Sequence, residues 1–410
     1  MKKTVIPIAA APMHPGALAA TSTVITASGL QTPPPLSLYI HWPWCVKKCP
    51  YCDFNSHESR GEIPEAEYIN AVIADLESAL PQIWGRRIGT IFIGGGTPSL
   101  ISGAGIDALL TGIRTRITLL SEAEITMEAN PGTVEVAKFA AFRDAGVNRV
   151  SLGIQSFDEA KLKALGRIHD GDEARRAIEI AQRHFDNVNI DLMYALPQQS
   201  LAEAQADMRT AISFGTPHLS AYHLTLEPNT AFFHAPPPVP DEDLSADMQE
   251  MVEAELAAAG YQHYETSAFA KPGMRSRHNF NYWSFGDYLG IGAGAHGKLS
   301  DHAGIVREMR HKHPRAYLEG AAKGEFVQER RVVSADELPG EFMMNALRLI
   351  DGVPTALFAE RTGLPLSRLQ APLLAAQRQE LLEVTPEHMR PTLRGQRYLN
   401  QLLQIFLGDA

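Results

Sequence analysis

The chain has three cysteines, and all of them lie in the stretch Cys45-Val-Lys-Lys-Cys49-Pro-Tyr-Cys52. Soft thiolates suit an iron-sulfur cluster, and a 4Fe-4S cluster ordinarily takes four of them. With Cys45, Cys49 and Cys52 as its only thiolates, such a cluster keeps one iron open for another ligand. Closed zinc sites use four ligands, typically from two separated pairs, so zinc would need completion by His41 or His57. Buried thiols without a metal are the plainer alternative.

The elements that must position this stretch can be read from the hydrophobic pattern. Six β-rich runs, at 36–41, 90–94, 124–128, 149–155, 187–194 and 218–226, alternate with amphipathic segments at 65–80, 106–117, 134–145, 172–185 and 201–214. That alternation predicts a parallel sheet with right-handed crossovers. The unusual residues follow the runs: the cysteines after the first, Gly94-Gly95-Gly96-Thr97-Pro98-Ser99 at the second, Glu128-Ala129-Asn130-Pro131-Gly132 at the third, Gln155-Ser156 at the fourth, Asp191 in the fifth. A barrel of parallel strands gathers such residues on its carboxyl rim, whereas an open doubly wound sheet uses only a switch point. The expected fold is therefore α/β, a partial parallel barrel of six strand-helix units.

Residues 1–35 are expected to form a disordered extension. Lys2 and Lys3 before an apolar run imitate a signal peptide, but Pro7, Pro12, His14 and Pro15 interrupt it. The barrel should span 36–230. Pro236-Pro237-Pro238-Val239-Pro240 opens a linker and an aromatic, Gly-rich region completing the barrel side, 231–333, and a mainly helical domain should fill 334–410. With 45% hydrophobic and 20% charged residues this is an ordinary globular composition, without a run long enough to span a bilayer. A net charge of −10 opposes nucleic-acid binding, as do seven arginines and no lysine against nine acidic residues from Asp336 to Asp409. Cysteines gathered in one cluster, with none set apart for pairing, point to a reducing compartment, the cytoplasm by default.

The pairing of CxxxCxxC after a first strand with GGGTPS after a second resembles the radical S-adenosylmethionine superfamily. The resemblance implies a 4Fe-4S cluster on Cys45, Cys49 and Cys52, with S-adenosyl-L-methionine on the open iron. The closer likeness is to the oxygen-independent coproporphyrinogen oxidase group, carried by Tyr39-Ile40-His41-Trp42-Pro43-Trp44, Ser151-Leu152-Gly153-Ile154-Gln155-Ser156, Leu165-Gly166-Arg167 and Asn189-Ile190-Asp191-Leu192. It implies Tyr39, Tyr51, Gly95, Gly96, Thr97, Glu128, Gln155, Arg167 and Asp191 as S-adenosylmethionine contacts. Glu128 would accept from ribose hydroxyls, and Arg167 would pair with a carboxylate.

Two branches of that group differ at two places. The oxidase branch carries a fourth cysteine two positions past the third, and here Phe54 stands there. The HemW branch, regarded as heme chaperones, carries HNxxYW, which His278, Asn279, Tyr282 and Trp283 match. This resemblance implies a protein that binds heme and passes it to acceptor apoproteins, without coproporphyrinogen dehydrogenase activity. His278 would be the axial ligand, and Tyr282 and Trp283 would offer flat faces to the macrocycle. The bland reading makes His278 a satisfied core histidine. The alternative function is radical oxidative decarboxylation of coproporphyrinogen III. Either chemistry implies an electron donor such as a flavodoxin or an NADH-linked system.

Overall fold

The structure, a computed structural model, describes residue 30 and residues 32–59, 61–133 and 136–407. The extension expected over 1–35 falls outside the described residues except at 30 and 32–35. Six strands follow the six runs: β1 (Leu36–Trp42), β2 (Arg87–Gly95), β3 (Thr118–Ala129), β4 (Arg149–Gln155), β5 (Asn187–Tyr194) and β6 (His218–His223). They pair in parallel in sequence order. Period-two alternation sends Leu36, Leu38, Ile40 and Trp42 of β1 outward into the main core, where they are almost fully buried. Ser37, Tyr39 and His41 face the other way, into the barrel.

The outer layer is the set of helices at Glu65–Ala79, Gly103–Arg114, Val136–Ala145, Gly171–His184 and Leu201–Ser213. Their starts are locally encoded. Asp170 with Glu173 and Ser200 with Glu203 form capping boxes, and the Ser102 side chain accepts from Gly105 N.

The sheet does not stop at the six. Strands β7 (Gln262–Glu265), β8 (Ala268–Ala270), β9 (Asp287–Ile291), β10 (His296–Asp301), β11 (Gly304–Arg310) and β12 (Val327–Val332) complete a 12-stranded sheet of order β12-β11-β10-β9-β1-β2-β3-β4-β5-β6-β8-β7. Strand β9 runs parallel to β1, with Leu289 opposite Leu38, and so is a seventh parallel strand. Buried Asp287 anchors its start by accepting from Arg86 Nη1 at 2.8 Å and Lys298 Nζ at 2.9 Å.

Residues beyond 333 pack around Phe342, Phe358, Leu369 and Leu402, with Phe285 and Trp283 joining that core from the barrel side. The sequence predicts a mainly helical region here. It also holds a three-stranded sheet of Val353–Pro354, His388–Pro391 and Leu382–Val384, strands too short to show a period.

Candidate functional site

The cysteine loop leaves β1 at the carboxyl rim and is tied down along its length. Trp44 and Cys45 bridge in parallel to His57 and Glu58, and Ser59 N donates to Cys45 O at 2.9 Å. Asn55 reaches across the sheet, its Nδ2 donating to Ala293 O at 3.1 Å and Lys312 O at 2.8 Å. Phe232 N donates to Pro50 O at 3.0 Å, so the far side of the barrel holds the loop as well. The three thiols are half-buried and unpaired. Burial pushes the Cys45 and Cys52 thiols up, while Arg167 Nη1 stands 3.6 Å from Cys49 Sγ, a cation where thiolate charge would develop.

Among the described residues, no three His, Cys, Asp or Glu side chains converge on one point as a single ion would require. A 4Fe-4S cluster would take each thiolate on a different iron. Both nitrogens of His41 are engaged: Nε2 donates to Asn55 O at 2.9 Å and Nδ1 accepts from Tyr39 OH at 3.0 Å. Among the described residues neither His41 nor His57 is grouped with the thiols as the ligand set a zinc ion would need.

Below the loop, the inward faces of β1 to β6 surround a polar interior. Tyr39, Glu128, Gln155 and Asp191 keep accessible surface there although strands enclose them. Gln155 ends β4 with φ 71°, a left-handed conformation that residues other than glycine rarely adopt and that functional sites often hold. Asp191 accepts from Ser151 Oγ and Asn189 Nδ2, each at 2.8 Å. Tyr51 packs toward Phe232 with ring centroids 6.3 Å apart. Arg167, expected to meet a carboxylate, is held by Gly153 O at 2.6 Å, by the Asn130 side chain and by Cys49. The amides of the glycine motif are also engaged: Gly95 N donates to Glu128 Oε2 at 3.1 Å, Gly96 N to Trp42 O at 2.6 Å and Thr97 N to Trp44 O at 2.7 Å. Their glycines are needed first for packing, since a Cβ on Gly95 would meet the His41 ring at 2.5 Å.

Glu128 and Asp191 make the interior acidic. Burial and then the Asp191 charge push the Glu128 carboxyl up to about 8 from an ordinary 4.5. A ligand carrying a diol and positive charge fits such a pair. Without cofactors, stability from the favoured protonated form is complete below pH 4.5 and is lost as pH rises through about 8. The slope reaches about 1.4 kcal/mol per pH unit. Glu128→Gln removes this slope, so thermal melts between about pH 5 and 9 should show the variant gaining on the wild type as pH rises. A pH-independent difference between the two would contradict this account.

The HNxxYW residues lie at the opposite, amino end of the same interior. The helix Arg277–Trp283 closes it, with Ser276 as N-cap. Glu124, on the inward face of β3, accepts from the backbone N of both Arg277 and His278 at 3.1 Å. His278 is 1% exposed, its Nδ1 2.8 Å from Thr90 Oγ1 and its Nε2 2.9 Å from Tyr282 OH. Burial first, then the Arg149 charge, push the imidazole down to about 3, so it is neutral. Tyr282 is partly exposed, and the Arg348 guanidinium lies 4.3 Å from the centre of the Trp283 ring. Asn279 is half-buried at the helix surface, its backbone N capped by Ser276 Oγ at 3.3 Å.

A buried hydrogen-bonded chain joins the two ends. It runs from Asp191 through Asn189 to His218 (2.5 Å), to Tyr264 OH (2.8 Å) and to Ser276 N (3.2 Å). Thr90, Glu124, His218 and Tyr264 were not singled out from the sequence. The period-two alternation Glu124-Thr126-Glu128 could have flagged Glu124.

An incomplete parallel barrel carrying three thiols on one rim loop defines a radical S-adenosylmethionine protein. The Radical SAM superfamily pattern matches residues 39–211, and the HemN C-terminal domain pattern matches 333–398. The solved coproporphyrinogen III oxidase (HemN) of Escherichia coli, a radical SAM enzyme, superimposes with a TM-score of 0.79 over 93% of this chain and 92% of its own, at 21% identity, a likeness of fold. Heme chaperone HemW of Escherichia coli (strain K12) is 50% identical over 378 residues, 92% of this chain and 99% of that protein. Heme chaperone HemW of Haemophilus influenzae is 47% identical over 382 residues, again 92% and 99%. The chain belongs to the HemW family.

Proposed function

We propose that the protein is a heme chaperone that binds heme and passes it to acceptor apoproteins. The observation that carries this reading is identity of up to 50% along nearly the whole chain to relatives named heme chaperones. Cys45, Cys49 and Cys52 would hold a 4Fe-4S cluster, with Arg167 offsetting thiolate charge at Cys49. S-adenosyl-L-methionine would sit in the interior among Tyr39, Tyr51, Gly95, Gly96, Thr97, Glu128, Gln155, Arg167 and Asp191, its hydroxyls facing the carboxyl groups of Glu128 and Asp191. When bound, these groups supply one-electron chemistry from a reduced cluster, which calls for a flavodoxin or an NADH-linked donor. Oxygen-sensitive chemistry of this kind favours the cytoplasm, and among the described residues no helix is long and apolar enough to cross a membrane.

For heme, His278 is the proposed axial ligand, with Asn279, Tyr282 and Trp283 around it. A neutral imidazole gives its lone pair to iron without first losing a proton. Heme added to the purified protein should give a Soret band, and His278→Ala should shift that band and weaken binding at least tenfold. An unchanged band and affinity in the variant would remove His278 from the site. Phe54, 59% exposed, stands where the oxidase branch has its fourth cysteine. Anaerobic assay with reductant and coproporphyrinogen III should accordingly yield no protoporphyrinogen, and formation of that product would replace the chaperone reading with an enzymatic one.

A further inference from the structure

We propose that Tyr282 is a removable cap on the iron-binding nitrogen of His278, and that Thr90 is the positioning residue that presents that nitrogen. This rests on the reading of His278 as axial ligand and adds how the ligand is kept and released.

The hydrogen-bond directions carry the inference. Thr90 Oγ1 donates its one proton to Ser37 Oγ at 2.7 Å, and Ser37 Oγ also accepts from Asn281 Nδ2 at 2.8 Å. Thr90 can therefore only accept from His278, which places the imidazole proton on Nδ1. The lone pair is left on Nε2. This is the tautomer that ligates iron through Nε2 while Nδ1–H stays bound to an outer partner, an arrangement that fixes the ring and raises its basicity.

The Nε2 lone pair is not free: it accepts from the Tyr282 hydroxyl at 2.9 Å. Tyr282 lies one turn further along the same helix, so the two side chains stack on one face, with ring centroids 4.7 Å apart and nearly perpendicular planes. Everything else holding His278 is fixed. Its backbone N is bound to Glu124, its ring lies 5.1 Å from that of Phe92, and it is almost wholly buried. Of the two groups hydrogen-bonded to the ring, Thr90 is buried and Tyr282 retains accessible surface, beside Tyr288 at 4.5 Å, so Tyr282 is the one that can turn aside. Loading then exchanges one hydrogen bond, O–H to Nε2, for one coordinate bond from the Nε2 lone pair to iron. No proton leaves the protein and no electron is transferred.

Tyr282→Phe keeps the ring and deletes only the hydroxyl, which separates capping from stacking. Stopped-flow mixing of hemin with the full chain should show association about fivefold faster for this variant, the worth of one net hydrogen bond, with the histidine-ligated spectrum retained. Thr90→Val should leave the protein folded yet shift the iron–histidine stretching band of the ferrous complex, with Thr90→Ser restoring it. If His278→Ala abolishes the histidine-type spectrum while Tyr282→Phe binds no faster, the cap is wrong and the ligand stands. If Thr90→Val leaves the stretching band in place, Thr90 does not position the ring. A His278→Ala protein with the wild-type spectrum overturns the ligand reading and the cap together.

Discussion

Cys49→Ser protein, reconstituted anaerobically with iron and sulfide, should retain no more than about one-hundredth of the wild-type cluster affinity, since losing even an outer-shell partner of a metal ligand costs ten- to a hundredfold. Its broad visible absorbance should vanish while its circular dichroism stays that of the metal-free wild type. The structure gives two reasons for choosing this cysteine. Cys49 is the middle thiol of a loop whose backbone is tied down on either side of it. It is also the sulfur beside Arg167, whose other partners include Gly153 O and the Asn130 and Tyr51 side chains. A serine variant holding wild-type iron and sulfide would dismiss the three-thiolate site.

Gly96→Ala should be the next most damaging change. Its Cβ would lie 2.5 Å from Trp44 O and 2.8 Å from Trp44 C, and backbone cannot rotate aside as a side chain can. The clash falls where Gly96 N and Thr97 N hold the strand end next to Cys45. Overpacking of this kind costs about 1–3 kcal/mol. The expected result is a melting temperature lower by several degrees together with reduced cluster occupancy. Gly89→Ala is the control, because its added carbon would meet nothing closer than Leu120 Cδ1 at 3.7 Å. Equal behaviour of the two variants would show that the rim tolerates displacement and that the glycine serves another purpose.

Local patterns made much of this legible from sequence. The six strands and their covering helices announced themselves through apolar alternation and capping residues, and the cysteines through ligand chemistry. Strand β9 did not, because Asp-Tyr-Leu-Gly-Ile is short, carries a glycine and owes its place to Arg86, 201 positions away, and to Lys298 on the next strand. The same holds for the HNxxYW helix. Its residue types suggested a heme handle, yet nothing in them says that Glu124 and Tyr264 seat it at the floor of the barrel that carries the cysteines on its rim. The charge of Arg167 marks it for a carboxylate, and nothing local in the sequence shows that a carbonyl, an amide, a phenol and a sulfur also hold its guanidinium. Pairings such as Arg167 with Cys49, Thr90 with His278 and Asn55 with Lys312, each between residues more than a hundred positions apart, leave no periodic trace.

The ties that Asn55 makes to Ala293 and Lys312, across sequence separations of 238 and 257, bear on how the protein is made. A ribosome adding about 5–20 residues per second needs roughly ten to fifty seconds to travel from one partner to the other. Throughout that interval the nascent chain displays the cysteine segment on a first strand whose β9 flank is bare and whose loop lacks two of its anchors. A cluster held by these thiols would thus enter a finished site only after synthesis of the barrel's last parallel strand, and until then the three thiols would stand open to oxidation and to stray metal.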